Sequence, residues 1–150
     1  MSPPEVSLRE VDASNVRAVC DLELADGQRA FVAPAAWTVA EAHYEPDATL
    51  RAIDAADEVV GLLLFEPGEA DRSFHLGRMM IAAPHQGRGI GRRALAVLSD
   101  ELRVEAGAVE LRTSCVPGAE GPTDFYLRLG FEDTGRVDHG EMVLRMPLDR

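Results

Sequence analysis

The chain has 150 residues, 46% of them hydrophobic and 27% charged, and its formal net charge is -11; this predicts one globular domain rather than a disordered chain. The acidic balance argues against a nucleic-acid-binding protein, which would present a basic face. Because no apolar run could span a membrane and the first residues do not resemble a signal peptide, we expect a cytoplasmic protein without a membrane partner.

The first part of the chain predicts a strand followed by two short helices. The strand covers residues 6–11, and Ser14 is expected to cap the first helix. That helix would bury a stripe made of Val16, Val19, Cys20 and Leu24. The second helix starts after Pro34 and is broken before Pro46.

Three strands are predicted next. Residues 49–55 and 58–65 form a pair joined by a tight turn at residues 56–57. In the third strand, over residues 74–81, the alternation of apolar and polar residues shifts by one position around Gly77-Arg78. The shift indicates a β-bulge, a feature that often lies beside active sites. A strand buried on both faces would give the same pattern, so both interpretations stay open.

The second half alternates helices and strands. A helix runs between Gly89 and Gly107, where Gly107 ends it, and its apolar stripe consists of Ile90, Ala94, Leu95, Leu98 and Leu102. A strand over residues 109–113 and a helix over 122–129, stopped by Gly130, follow. A hairpin of two strands, over residues 131–137 and 141–146, completes the chain. This alternation predicts an α/β domain with some parallel pairing.

The segment from Gln86 to Arg93 (QGRGIGRR) is a candidate anion site. It holds three glycines and three of the chain's 15 arginines just where the long helix begins. Glycines permit a tight turn, and a helix start offers free N–H groups and a positive dipole end, which suits a phosphate-bearing ligand. The spacing does not fit a dinucleotide-binding fold, and a nucleoside-triphosphate loop would need a lysine that the chain lacks. The alternative is a glycine-rich connection without a ligand.

Two cysteines, Cys20 and Cys115, lie far apart and show no metal-ligand spacing. We interpret them as buried free thiols and expect no metal.

Three segments together resemble the GNAT superfamily of acetyl-CoA-dependent N-acetyltransferases. They are Met79-Met80-Ile81, the turn at residues 86–91, and residues 125–131 (FYLRLGF). The resemblance is good over residues 58–146. Over residues 6–57 only the arrangement of predicted elements is similar. It implies a mixed, mostly antiparallel twisted sheet of six or seven strands with a splayed parallel pair and about four helices. A single N-acetyltransferase domain would then span 1–150, with the acceptor site in about 1–57 and the acetyl-CoA site in about 58–146.

The resemblance also implies which residues bind acetyl-CoA, the expected co-substrate. The turn and helix start would hold its pyrophosphate, and the bulged strand would offer backbone groups to its pantetheine arm. The implied residues are Met79, Met80, Ile81, Gln86, Gly87, Arg88, Gly89, Ile90, Gly91 and Arg92. Many relatives carry an asparagine where this chain has Ala119, and some polyamine acetyltransferases carry a carboxylate where it has Gly77.

The resemblance implies a general acid, and the chemistry of the reaction also requires a base. Tyr126 matches the tyrosine that protonates the departing thiolate in the family, although an aromatic residue packed beside Phe125 is the alternative. An alkylamine must lose a proton before it attacks the thioester. Candidates for the base are His75, whose intrinsic pKa lies near neutrality, and Glu66 or Glu41 acting through water.

The acceptor is expected to be a small amine. Residues 28–34, followed by Trp37 and Tyr44, resemble the polyamine or diamine acetyltransferase branch. Trp37, Glu41 and Tyr44 could hold a cation by aromatic face and carboxylate. The aromatic residues could instead be core or dimer contacts, and the resemblance makes a homodimer a candidate assembly. Acetylation of a protein N-terminus, a lysine or an aminoglycoside, and a catalytically silent CoA-binding module, stay open as alternatives.

Overall fold

A computed structural model describes residues 5–24, 34–117 and 123–148, which form seven strands and four α-helices. The strands are β1 (Val6–Glu10), β2 (Thr49–Ala55), β3 (Glu58–Pro67), β4 (Ser73–Ile81), β5 (Glu110–Cys115), β6 (Glu132–Asp138) and β7 (Glu141–Pro147). The helices are α1 (Val16–Cys20), α2 (Ala35–Tyr44), α3 (Ile90–Ala106) and α4 (Thr123–Leu129). Every predicted strand and helix is confirmed, with shifts at the ends.

The strands form one sheet in the order β1-β2-β3-β4-β5-β7-β6. All neighbouring strands are antiparallel except β4 and β5, which are parallel. This is the mixed, mostly antiparallel sheet with a parallel pair that the resemblance implied. None of the helices in the described ranges is long and apolar enough to cross a membrane.

Strands β4 and β5 pair over only a short stretch and then part. Their last shared rung joins Leu76 to Thr113, although β4 continues to Ile81 and β5 to Cys115. Just past this rung, Gly77 is an extra residue in β4, because Leu64 of β3 pairs with Arg78 and Phe65 pairs with Leu76. The predicted bulge is therefore confirmed. It lies where the two parallel strands separate, and we call this opening the fork.

Both faces of the sheet are covered near β4, so the other interpretation, a strand buried on both faces, also holds. Met79 and Ile81 pack into the larger core under α3, whereas Met80 packs into a smaller cluster with Val19 of α1 and Ala35 of α2. The predicted stripe of α3 is buried in the larger core, and Gly107 ends the helix in the left-handed conformation.

The prediction for the start of α1 was wrong. Asn15, not Ser14, precedes the helix; its side chain accepts the Asp12 amide at 2.8 Å and donates to the Glu10 carbonyl at 2.9 Å. The Ser14 hydroxyl instead donates to the Asp12 carboxylate at 2.6 Å. Because Asn15 is buried and tied to the end of β1, it sets the start of the helix. The helix also ends at Cys20, before Leu24.

Candidate active site

The glycine turn has the backbone geometry that an anion site needs. Gly87 and Gly89 both have φ of 78°, a left-handed conformation that favours glycine. Gly89 occupies the position before α3, and the Arg93 amide donates the first helical hydrogen bond to its carbonyl at 3.2 Å. The amides of residues 90–92 precede Arg93, the first amide to donate within the helix, and therefore point out of the helix end without a helical acceptor. They are available to an anionic group at the turn.

Side chains of the turn also fix it to its surroundings. Gln86 donates to the Ile81 carbonyl at 2.8 Å, which ties the turn to the end of β4. Ile90 is buried, and a Cβ added at Gly91 would lie 3.5 Å from Met79, 3.6 Å from Leu129 and 3.7 Å from Phe125. Ile90 and Gly91 can therefore reach a ligand only with their backbone.

The arginines of the turn differ in their contacts. The exposed Arg88 guanidinium lies 3.4 Å from the His85 ring. Arg92, also exposed, donates to the carbonyl of Arg128 at 2.6 Å, at the end of α4. A positive surface thus surrounds the helix start and joins it to α4.

Within the part of the chain that the structure describes, no strand pairs with the fork side of β4 beyond Leu76. Met79, Met80 and Ile81 bury their side chains in the two cores, so only their backbone groups can contact a ligand there. An extended ligand placed in the fork could form hydrogen bonds with these backbone groups, as an added strand would.

The Tyr126 side chain lies at the base of the fork. It is 7% exposed and packs edge-on against Phe125 and Phe131, with ring centroids 5.4 and 5.6 Å away. Its hydroxyl forms a hydrogen bond with Thr113, which itself donates to the Leu76 carbonyl at 2.8 Å. The phenol therefore reaches the last rung shared by β4 and β5.

Burial controls the protonation of this phenol. Desolvation raises the pKa of Tyr126 to about 12, the hydrogen bond with Thr113 opposes the shift, and the nearby Cys115 adds to it. Tyr126 is thus a proton-bearing group throughout the neutral range. We expect the difference between the absorbance titrations of the wild-type protein and Tyr126→Phe to show one ionisation near pH 12. A difference titration near the ordinary tyrosine value of about 10 would contradict this burial effect.

A cavity of about 310 Å³ opens beside the bulge. It is lined by Glu41, Glu45, Ala48, Leu64, Phe65, Glu66, Gly77 and Arg78. Arg78 donates to Thr38 at 3.1 Å and forms an ion pair with Glu41 at 2.9 Å, so the cavity lies on the face of the sheet that carries α2. Tyr126 packs in the core on the α3 face. The cavity and the phenol therefore approach the fork from opposite faces.

The predicted base residues meet at the edge of this cavity. Glu66 and His75 are cross-strand partners on β3 and β4, and the His75 Nδ1 lies 3.9 Å from the Glu66 carboxylate. Glu66 lines the cavity, whereas His75 does not. Glu41 also lines the cavity, but its carboxylate is paired with Arg78.

Other predicted residues are placed differently. Trp37 and Tyr44 of α2 are 64% and 81% exposed and do not line the cavity. Residues 28–34 and Ala119 lie outside the described residues. Cys115 is buried as predicted, but Cys20 is only partly buried, because the short α1 leaves it near the edge of its core.

Sequence reasoning missed two residues of this arrangement. Arg78 had been noticed only as part of the shift in apolar alternation, and Thr113 only as the end of a strand. Both residues lie where β4 and β5 separate, and no local pattern in the sequence shows that separation.

Comparisons with known proteins agree with this geometry. A family model described as an acetyltransferase (GNAT) domain matches residues 16–148. A search among curated proteins found no match.

Solved structures share the fold at low sequence identity. A protein from Desulfovibrio desulfuricans placed in the GNAT family has a TM-score of 0.75 and 20% identity, over 97% of this chain and 100% of that chain. The PaiA N-acetyltransferase from Thermoplasma acidophilum, in complex with coenzyme A, has a TM-score of 0.68 and 11% identity, over 95% and 99%. A chimera of the spermidine N-acetyltransferase SpeG from Vibrio cholerae and hSSAT has a TM-score of 0.69 and 18% identity, over 95% of each chain.

Proposed function

The chain belongs to the GNAT family of acetyltransferases, and on that premise we propose that it transfers the acetyl group of acetyl-CoA to a primary amine of a small polycation, a diamine or polyamine. The observation that carries this proposal is the acidic cavity beside the bulge. Three carboxylates and one guanidinium line it, and it meets the fork from the face opposite Tyr126. A cationic amine entering there would come to a thioester held in the fork.

Acetyl-CoA would be bound by residues of the 58–146 part of the single domain. The helix-start amides and the arginines Arg88 and Arg92 suit its pyrophosphate, and the open edge of β4 suits the amide groups of its pantetheine arm. Gln86 supports the turn from behind. The acceptor site would combine α2, from the first 57 residues, with β3 and β4.

The reaction we propose is direct attack of the amine on the thioester. The new C–N bond forms as the C–S bond breaks, and Tyr126 serves as the general acid toward the departing sulfur. The proton that the phenol carries at neutral pH supports this role, as it would at the ordinary tyrosine pKa of about 10 or at the raised pKa of about 12. Its position at the last rung of the fork supports it as well.

We assign the base to Glu66, with His75 as its partner. An alkylammonium group has a pKa of about 10.4 and needs an acceptor for its proton. Among the three candidates, Glu66 lines the cavity and, within the described residues, forms no ion pair with an arginine. Glu41 is less suited because its carboxylate is already engaged in an ion pair with Arg78 at 2.9 Å.

Fold similarity alone does not select the acceptor. An aminoglycoside 6'-acetyltransferase and the ribosomal-protein acetyltransferase RimL resemble this fold with TM-scores of 0.69 and 0.70, at 19% and 16% identity. The acidic cavity favours the polyamine class, in line with the spermidine-acetylating neighbour. A cavity of about 310 Å³ suits a slender alkylamine better than a bulky one.

The exposed aromatic residues of α2 keep two roles in the proposal. Trp37 and Tyr44 share α2 with Glu41 and are too exposed to be core residues. They would either guide a cation toward the cavity or contact a second copy of the chain. A homodimer and a cytoplasmic location both remain predictions.

Measuring thiol release from acetyl-CoA with a panel of amines tests the acceptor class. We expect diamines and polyamines to have KM values about 10-fold below those of monoamines of equal length, a difference of about 1.4 kcal/mol, because their second ammonium group can form one further ion pair with the cavity carboxylates. Glu45→Gln should raise the KM of the diamine and leave that of the monoamine nearly unchanged. Equal KM values, or a preference for peptide or aminoglycoside amines, would contradict the polyamine assignment.

A further inference from the structure

Helix α4, which carries Tyr126, depends on contacts outside itself. It contains only seven residues, too few to be stable as an isolated helix. Two of its last carbonyls have local partners, because Phe131 donates to Tyr126 at 3.1 Å and Gly130 donates to Leu127 at 3.2 Å. The carbonyl of Arg128 instead accepts the hydrogen bond from Arg92.

This contact joins α4 to the anion-binding turn. Arg92 belongs to the first turn of α3, directly after the three glycines. Beside it, a Cβ at Gly91 would stand 3.6 Å from Leu129 and 3.7 Å from Phe125, so the two helices touch there. A cation at the C-terminal end of a helix is favourable, and a charged donor makes a strong hydrogen bond with a carbonyl.

We propose that Arg92 is a positioning residue that couples the pyrophosphate site to the placement of Tyr126. The guanidinium has five N–H donors, so it can keep the Arg128 carbonyl while others face an anion at the turn. An anion there would hold Arg92 in place, and Arg92 in turn would hold the end of α4. Tyr126 lies one half-turn before Arg128, so its hydroxyl would be steadied at the fork when acetyl-CoA is bound. The kinetic part of this proposal rests on the proposed function of Tyr126.

A double-mutant cycle tests the coupling. We expect Arg92→Ala to lower kcat by about 5-fold in the wild-type background and to have almost no effect in the Tyr126→Phe background, because residues that act as a unit are not additive. Arg92→Lys should recover part of the loss, since an ammonium group can also donate to one carbonyl. Additive losses in the two backgrounds would overturn the proposal.

Arg88→Ala is the matched control for charge. It removes one arginine from the same turn, but Arg88 contacts His85 rather than α4. We expect it to raise the KM for acetyl-CoA and to change kcat little, with an effect that adds to that of Tyr126→Phe. The contrary result would be that Arg88→Ala lowers kcat as much as Arg92→Ala does in the wild-type background and has no effect in the Tyr126→Phe background. That result would show that the charge of the turn, rather than the contact with Arg128, is responsible.

Hydrogen exchange supplies a readout that does not depend on catalysis. Saturating coenzyme A should slow exchange of the α4 amides in the wild-type protein and in Arg88→Ala, but not in Arg92→Ala. Equal slowing in all three proteins would overturn the coupling. If Tyr126→Phe retains full turnover while the exchange pattern holds, the acid assignment fails and the link between Arg92 and α4 stands.

Discussion

Replacing Tyr126 by phenylalanine is expected to lower kcat by about 10-fold or more, within the range that acid–base groups contribute. The substitution removes only the hydroxyl and keeps the ring that packs against Phe125 and Phe131. The hydroxyl is the part that meets Thr113 at the last rung of the fork. Loss of turnover with an unchanged KM for acetyl-CoA would therefore report the loss of a proton donor and not of a binding contact.

Steady-state kinetics with a saturating diamine measure this effect, and thermal unfolding of the two proteins is the control for folding. The raised pKa adds a second criterion. Because the phenol keeps its proton until about pH 12, its ionisation should cause no fall in kcat between neutral pH and about pH 10. Wild-type turnover in Tyr126→Phe would contradict the general-acid role.

Glu66→Gln is expected to lower kcat/KM by about 100-fold at neutral pH, the lower part of the loss seen when a general base is removed. The amide keeps the size of the side chain but cannot accept the proton of the ammonium group. The deficit should shrink as the pH approaches the amine pKa of about 10.4, where solvent already supplies the free amine. A pH profile of kcat/KM for both proteins measures this convergence.

Matched variants separate the three candidates for the base. We expect His75→Gln to have a smaller effect than Glu66→Gln, because Glu66 lines the cavity and His75 does not. Glu41→Gln should mainly raise the KM of the amine, since it breaks the ion pair with Arg78 that attaches α2 to β4. A larger loss for His75→Gln than for Glu66→Gln would transfer the role of base to the histidine.

Local patterns in the sequence predicted much of the fold because they report local geometry. The shift in apolar alternation at Gly77 was visible because side chains alternate along a strand, and one extra residue inverts that alternation. The glycine turn was visible because positive φ angles restrict the choice of residue. The cap of α1 was mispredicted because Ser14 and Asn15 both suit that position, and the contacts with Asp12 and Glu10 decide between them.

The site depends on contacts that no local pattern contains. Arg78 reaches Glu41 and Thr38 on α2, and Arg92 reaches the Arg128 carbonyl, across 36 to 40 residues of sequence. Gly61 was not singled out at all, yet a side chain there would collide with the backbone carbonyl of Met80 in β4.

The sequence by itself predicted the strands, the glycine turn and the family resemblance, and it gave the bulge as one of two interpretations. Each of these depends on residue type and spacing within a few positions. Only the tertiary structure decided that Tyr126 and the acidic cavity approach the fork from opposite faces, and that Glu66 rather than His75 lines the cavity. These results depend on the order of strands in the sheet and on the face that each helix covers, which bring together segments that are distant along the chain.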